Sequence, residues 1–517
     1  MTYRLGIDVG GTNTDAVILD ESRQVVAKVK QPTTSDVMTG IYRAIEKLLA
    51  QAPVDRGSIR YAMLGTTQCT NAIVERKQLN RVGIIRIGAP ATTAVPPLAG
   101  WDDTLRQVIG EHIHVLSGGY EYSGKTIAPF DEEGLKQAVR EMRGKVQSIA
   151  VIGVFSPVRV EQERQAAQII REIAPEMHVS LSHEIGSIGL VERENATILN
   201  AALMNVIQGV VDGFNGALQK HRIGAELYLG QNDGTLMSSQ YALQYPIFTI
   251  ACGPTNSIRG AMHLSGLKDA IIVDIGGTTT DVGVVQKGFP RQSALAVDVG
   301  GVRTNFRMPD ILSIGLGGGT VIHEKGSELT IGPESVGYLL PERGQAFGGP
   351  VLTATDVAIC LGLADIPGTD PTRVRLSPAY AQRAHRRMVE KVADAIDRMK
   401  TSPDAVPVVL VGGGSVLMPE QLPGASEVIR PPHSDSANAI GAALGDISGD
   451  VEKVYSLSEM SYDEALADAK QTAIREAVHA GADPDTVQIM TIEDVPLAYM
   501  PGNATLIKVK AAGEIKK

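Results

Sequence analysis

Ile7-Asp8-Val9-Gly10-Gly11-Thr12-Asn13-Thr14-Asp15 recurs later in the chain as Val273-Asp274-Ile275-Gly276-Gly277-Thr278-Thr279-Thr280-Asp281. Asp, Gly, Gly, Thr, Thr and Asp repeat in register, and the remaining positions exchange similar residues. The residues after the glycines decide the fold. P-loops and dinucleotide-binding loops pass from a strand into a helix. Here the chain continues as Ala16-Val17-Ile18-Leu19 and Val282-Gly283-Val284-Val285, short, apolar and largely β-branched, with no cap and no helical period. Each copy therefore reads as a β-hairpin with the Gly-Gly-Thr turn at its tip.

Such a tip has a defined chemistry. Glycine permits positive φ and close backbone approach. Successive amides in the turn can form a nest for an anion, and the threonine hydroxyls add donors. Asp8 and Asp274 stand at strand ends just before the turns, where a carboxylate can hold the waters of a phosphate-bound Mg²⁺. A single copy is equally an ordinary glycine-rich hairpin. The matched pair points to two half-sites closing on one nucleotide.

Bulk properties bound the alternatives. A chain of 517 residues, 43% hydrophobic and 21% charged, is globular and long enough for more than one domain. The net charge of −10 argues against a nucleic acid or an anionic membrane as main partner. Cys69, Cys252 and Cys360 lie far apart and form neither a metal motif nor a disulfide framework. The N-terminus enters a strand at Tyr3 without a basic-then-apolar leader, and no apolar run approaches the ~20 residues that span a bilayer. A cytoplasmic protein is expected.

Along the chain, buried strands alternate with amphipathic helices, which predicts α/β with much parallel sheet. Val37, Ile41, Ile45 and Leu48 mark a helix over Asp36–Gln51. Ala62–Arg76 reads as strand, polar turn and a helix from about Thr70. Thr66, Thr67, Thr70 and Asn71 suit either ligand binding at a helix N-terminus or ordinary capping. Residues 101–125 look irregular, and His112 and His114 there read as structural. Glu192 and Glu194 precede the apolar helix of 189–218, where charges commonly just meet the helix dipole. Cys252 has no histidine locally placed to activate it and reads as a buried thiol. Arg303 and Arg307 follow the second hairpin.

Farther on, Val408–Val411 ends in Gly412-Gly413-Gly414, where a flat ring can lie on bare backbone. The helix over 438–444, rich in Ala and Gly, would let another element pack closely. The expected division is 1–185 for a first half, 186–450 for a second and 451–517 for a small αβ appendage.

This order of motifs resembles the actin-like ATPases, in which two ribonuclease-H-like domains clasp MgATP. Within them the chain looks like the hydantoinase/oxoprolinase family, A-type subunit, in a short form. The carrying segments are Gly6–Thr12, Gly65-Thr66-Thr67 through Asn71 to Arg76, Gly253-Pro254 with Ser257 to Ala261, Ile314-Gly315 with Gly317-Gly318-Gly319, and Gly332–Ser335. The resemblance implies phosphate contacts at Gly10, Gly11, Thr12, Asn13 and Thr14 and at Gly276, Gly277, Thr278, Thr279 and Thr280. It implies adenosine contact at Gly412, Gly413 and Gly414, and Mg²⁺ held through water by Asp8 and Asp274. Thr67, Asn71, Glu192 and Arg303 are candidates for the substrate side of the cleft. The implied chemistry is ATP-dependent ring opening of a hydantoin, a 5-oxoproline-like compound or another cyclic amide, through phosphorylation of the amide oxygen. A B-type subunit would supply the hydrolytic half, so a hetero-oligomer is expected. A small-molecule kinase, an ATP-dependent carboxylase subunit and a non-enzymatic nucleotide switch or regulatory subunit are the alternatives on this fold. The chain departs from the family where Asn13 replaces a frequent Phe, and where Leu312-Ser313 replaces a usual His-Thr. Any role of that histidine is absent here.

Overall fold

The computed structural model describes residues 1–10, 12–34, 37–293, 297–306, 308–325, 328–498 and 502–516. Two sheets carry the two hairpins. Among the described residues the first has nine strands, in the order Gln488–Pro496, Ala504–Gly513, Ile447–Ser456, Leu236–Ser238, Glu226–Gly230, Ile59–Thr66, Tyr3–Val9, Asn13–Leu19 and Val25–Pro32. The second runs Phe289–Pro290, Thr280–Gln286, Ala270–Ile275, Val406–Val411 and Ala425–Ile429, with Ile311–Ile314 also pairing to Thr280–Gln286.

The two sheets share one local plan. Tyr3–Val9 and Ala270–Ile275 each pair antiparallel with the return strand of their hairpin and parallel with a strand from farther along the chain. These central strands are almost wholly apolar because both faces are covered. On one face of the first sheet, Ile7, Ile41, Leu48, Ile198 and Phe214 share a core; the second sheet buries Val273, Val408, Met388 and Ile396. Between the sheets lie the helices Cys252–Ser265 and Ala437–Ala443. They cross so closely that a Cβ at Gly260 would strike the Ala437 carbonyl, and one at Gly441 the Asn256 carbonyl. The small-residue helix thus packs as its composition suggested. A third, four-stranded parallel sheet, His112–Ser117, Val82–Ala89, Ser148–Gly153 and His178–Leu181, is inserted into the first half.

Several boundaries differ from expectation. Residues 451–517 are no appendage: Ile447–Ser456 and Ala504–Gly513 extend the first sheet, and Ile507 and Val509 belong to its core. Lys510, 6% exposed, forms a buried ion pair with Asp233 in the turn after Glu226–Gly230. Glu226–Ser238 and the preceding helices also belong to the first half, so position 185 is no boundary. A composition shift marks local sequence, whereas sheet membership is settled by non-local pairing. The helix expected from Thr70 starts at Gln68. The stretch 101–125 contains the helix Asp103–Ile109, capped by Asp102, and the strand His112–Ser117. The apolar stretch 189–218 is two helices, Leu190–Ala202 and Met204–Lys220, bent by 44°. Among the described residues no single helix is long and apolar enough to cross a membrane.

Candidate functional site

The two turns are built alike. The Gly10 amide donates to the Asn13 carbonyl at 3.0 Å, and the Gly276 amide to the Thr279 carbonyl at 2.9 Å. Asp8 lies opposite Asp15 in the first hairpin, as Asp274 lies opposite Asp281 in the second. The tips meet: a Cβ at Gly277 would collide with the Thr12 side chain. Between them opens a cleft of about 450 Å³. Asp8, Gly10, Thr12, Asn13, Thr67, Asp274, Gly276, Gly277, Thr278, Thr279, Gly412, Gly413 and Gly414 all line it. The structure brings these thirteen residues together. Gly11, Asp36 and Arg307 lie outside the described residues.

The far wall is set by the second sheet. Val406–Val411 runs parallel beside Ala270–Ile275, so its end delivers Gly412 next to Asp274. Gly412 has φ 83°, and a Cβ there would strike the Asp274 carboxylate. Gly413 is exposed, with open space where a Cβ would stand. Val416 and Leu417, just past Gly414, make this end apolar, and Leu340 and Ile366 add apolar lining to the cleft. A hydrogen-bonding, carboxylate-bearing end and an apolar end in one cleft suit a nucleotide.

Other expected residues are elsewhere. Thr14 and Thr280 are fully buried and do not line the cleft. The Thr280 hydroxyl donates to the Leu316 carbonyl at 2.7 Å, and the Thr14 hydroxyl lies 3.5 Å from that of Thr33. In a hairpin, alternate side chains leave opposite faces, which turns these two away from the tip's open side. Asn71 is one helical turn behind the cleft and reaches the Thr67 hydroxyl at 3.4 Å. Glu192 and Arg303 pair with each other at 3.6 Å on another surface, where the Arg303 side chain is 73% exposed. They are not part of the cleft.

Carboxylates dominate the electrostatics. Asp8 accepts hydrogen bonds from Asn438 at 2.9 Å and Asn256 at 3.3 Å. Burial, with Asp15 nearby, still pushes its carboxyl up to about 7. Burial pushes Asp281 up to about 6 and raises Asp274, against a hydrogen bond from Ser257. Asp15 is raised by burial too, opposed by Lys30, whose Nζ lies 2.6 Å away. Asp435 completes the set, paired with Lys28 at 2.5 Å. Burying carboxylates this densely is costly unless cations join them. The donor set fits a hard divalent cation that arrives with phosphates and keeps its waters. Among the described residues no group of three or more His, Cys, Asp or Glu side chains could hold a metal by itself.

Lys30, Asn256 and Asn438 escaped the sequence reading. Lys30 sits in a strand with no local signal, and Asn438 opens a helix read only for its small residues. Cys252 is inert: it is buried, donates to the Thr66 carbonyl at 3.3 Å, and burial pushes its thiol up to about 12. Leu312 pairs opposite Val282 and packs on the second core, while Ser313 donates to Asp281.

Comparison with known proteins agrees with this geometry. The chain is 27% identical over 433 residues to the acetophenone carboxylase gamma subunit of Aromatoleum aromaticum, covering 76% of this chain and 57% of that protein. It is 25% identical over 384 residues to the caprolactamase subunit alpha of Pseudomonas jessenii, covering 70% of this chain and 55% of that one. The matches thus span little more than half of these relatives, both named as subunits. The crystal structure of the ATP-dependent caprolactamase from Pseudomonas jessenii superimposes with a TM-score of 0.79 at 19% identity, over 99% of this chain and 88% of that one. The fold is therefore shared along the whole chain. The model of the hydantoinase/oxoprolinase N-terminal region matches residues 4–174, and that of hydantoinase/oxoprolinase matches residues 193–368. With most of its length matched, the chain belongs to the hydantoinase/oxoprolinase family.

Proposed function

We propose that the chain binds MgATP in this cleft and phosphorylates the amide oxygen of a small cyclic amide. The observation that carries the reading is the meeting of two Asp-x-Gly-Gly-Thr tips beneath a bare triple-glycine wall. Gly10, Thr12 and Asn13 from one side, and Gly276, Gly277 and Thr278 from the other, would face the phosphates. Gly412 to Gly414 and the apolar end would take the adenosine. Asp8 and Asp274 would hold Mg²⁺ through its waters, and the ion would neutralise phosphate charge.

The chemistry suits the problem. A lactam carbonyl is resonance-stabilised and resists water. When its oxygen attacks the γ-phosphorus, the bond to the ADP oxygen breaks and ADP leaves. Water would add to the carbon of the resulting imidate-like phosphate, and the C–N bond would break to open the ring as an acyl phosphate and free amine. A second water would release phosphate and leave the carboxylate. The protein's share of phosphoryl transfer is positioning and charge stabilisation. A cytoplasmic partner subunit of B type would open the ring. The caprolactamase likeness supports this reading. The test is release of ADP and phosphate with hydantoin, 5-oxoproline and ε-caprolactam, with and without the partner. No stimulation by any cyclic amide sinks it.

The acetophenone carboxylase likeness favours a second reading, ATP-dependent carboxylation of a ketone. ATP use that requires bicarbonate and a ketone, and ignores lactams, would select it.

A further inference from the structure

A second cavity, of about 550 Å³, lies between the inserted sheet, the turn after Glu226–Gly230 and the helix Tyr462–His479. We propose that it is the acceptor pocket, in which His183 Nε2 donates a hydrogen bond to the carbonyl oxygen of a small cyclic amide. This rests on the ATP-dependent reading of the first cleft.

Position is the first argument. Tyr3–Val9, Ile59–Thr66 and Glu226–Gly230 are successive parallel strands. Ligands of such sheets collect beyond the carboxyl ends of the strands. Neighbouring strands are about 4.8 Å apart, so the end of the third is about 10 Å from Asp8. Gln231 and Asn232, at that end, line the second cavity. Phe248 lines the same cavity and Gly253, five residues later, lines the nucleotide cleft. One short segment thus borders both.

The second argument is a prepared donor. Glu163 is buried and accepts from the Gly153 amide at 2.6 Å, Ser182 Oγ at 2.5 Å and His183 Nδ1 at 2.5 Å. It holds the imidazole in one orientation, and the His183 side chain is 7% exposed. Among the described residues Nε2 has no hydrogen-bond partner. The nearest anion, Glu184 Oε1, stands 3.9 Å away, and the other Glu184 oxygen is held by the Tyr245 hydroxyl at 3.0 Å. Burial opposes charge on His183, but Glu163 outweighs it and raises its pKa above the ordinary value, favouring a proton on Nε2. A buried donor left unpaired is costly, and a ligand oxygen would pair it as Glu184 swings aside.

The walls supply the rest. Tyr245, Phe248 and Phe306 form a run of rings with centroids 5.8 and 6.5 Å apart, a surface for an apolar ring body. Charged side chains, among them Arg159, Arg164, Glu184, Asp450 and Lys453, line much of the rest, so an apolar wall for the ring faces polar groups for the amide edge.

The experiment titrates hydantoin, 5-oxoproline and ε-caprolactam into the intact chain with ADP present, reading heat and the ¹⁵N resonance of His183 Nε2. At least one compound is expected to shift that resonance. His183→Gln weakens its binding at least tenfold and leaves ADP affinity unchanged. Thr472→Trp, on the outer helix, fills the cavity without touching the Glu163–His183 pair and gives the same loss. Unchanged acceptor affinity in Thr472→Trp, or no shift with any compound, overturns the proposal. Failure of the wild-type chain to bind ADP overturns the nucleotide reading separately.

Discussion

Asp15 on the first hairpin stands opposite Lys30, while its counterpart Asp281 on the second stands opposite Ser313. The duplicated turn places a pair of carboxylates in each half, in the same register. The third strand then makes the halves unequal. Lys30 is an ion-pair partner that favours the charged carboxylate; Ser313 offers only a hydroxyl, and burial leaves Asp281 up at about 6. The halves differ again at their outer edges. The first is extended by the C-terminal stretch of the chain through Ile447–Ser456, and the second has no equivalent among the described residues. A repeated motif thus fixes backbone geometry, and unrepeated neighbours assign the charge.

The largest expected effect concerns that extension. Lys510→Met leaves Asp233 buried without its cation and should destabilise the fold by about 3–5 kcal/mol. An unfolding free energy from denaturant titration lowered by less than about 1 kcal/mol would show that the tail is peripheral to the first half. Next come the paired carboxylates. Asp8→Asn and Asp274→Asn should each lower substrate-stimulated ATP turnover by about 10²–10³-fold, the scale for losing one preorganised electrostatic group. Steady-state ADP release measures both, and a large loss in only one of them would break the equivalence of the halves.

The third prediction uses pH. The Asp8 carboxyl lies higher in the folded chain, at about 7, than the 3.8 of the free group. The folded state therefore binds the extra proton, and this contribution is complete below about pH 4 and lost as pH rises through 7. Without nucleotide, Asp8→Asn should melt higher than the wild type at pH 8, and the two should converge near pH 4. For Asp281→Asn the window should close near pH 6. Parallel melting curves across pH would contradict the burial argument. The smallest effects separate the third strands. Lys30→Gln should reduce turnover by about tenfold, on the scale of a charge-assisted bond. Ser313→Ala, which removes one neutral hydroxyl contact, should cost about 0.5–1.5 kcal/mol of stability.

Much of this was legible in the chain itself. The hairpins, the triple-glycine strand end and the close-packed small-residue helix are local features, since turn chemistry and side-chain period act over a few residues. They were enough to indicate two halves around a nucleotide. The sheet to which residues 447–513 belong was not legible, because strand pairing joins segments more than 200 residues apart. Nor were Lys30, Asn256 and Asn438, whose importance comes from facing Asp8 and Asp15 across the fold. Thr14 and Thr280 show the converse: a motif lists residue types, but the pleat of the strand turned these two into the core. Glu192 and Arg303 had charge in their favour and fell on another surface. Sequence alone determined the turns and their chemistry, because backbone geometry there is set by glycine and its neighbours. Only the tertiary structure decided which carboxylates share a cleft, which of them has a lysine, and that His183 Nε2 finds no partner among the described residues beside a second cavity, because those depend on the packing of distant segments.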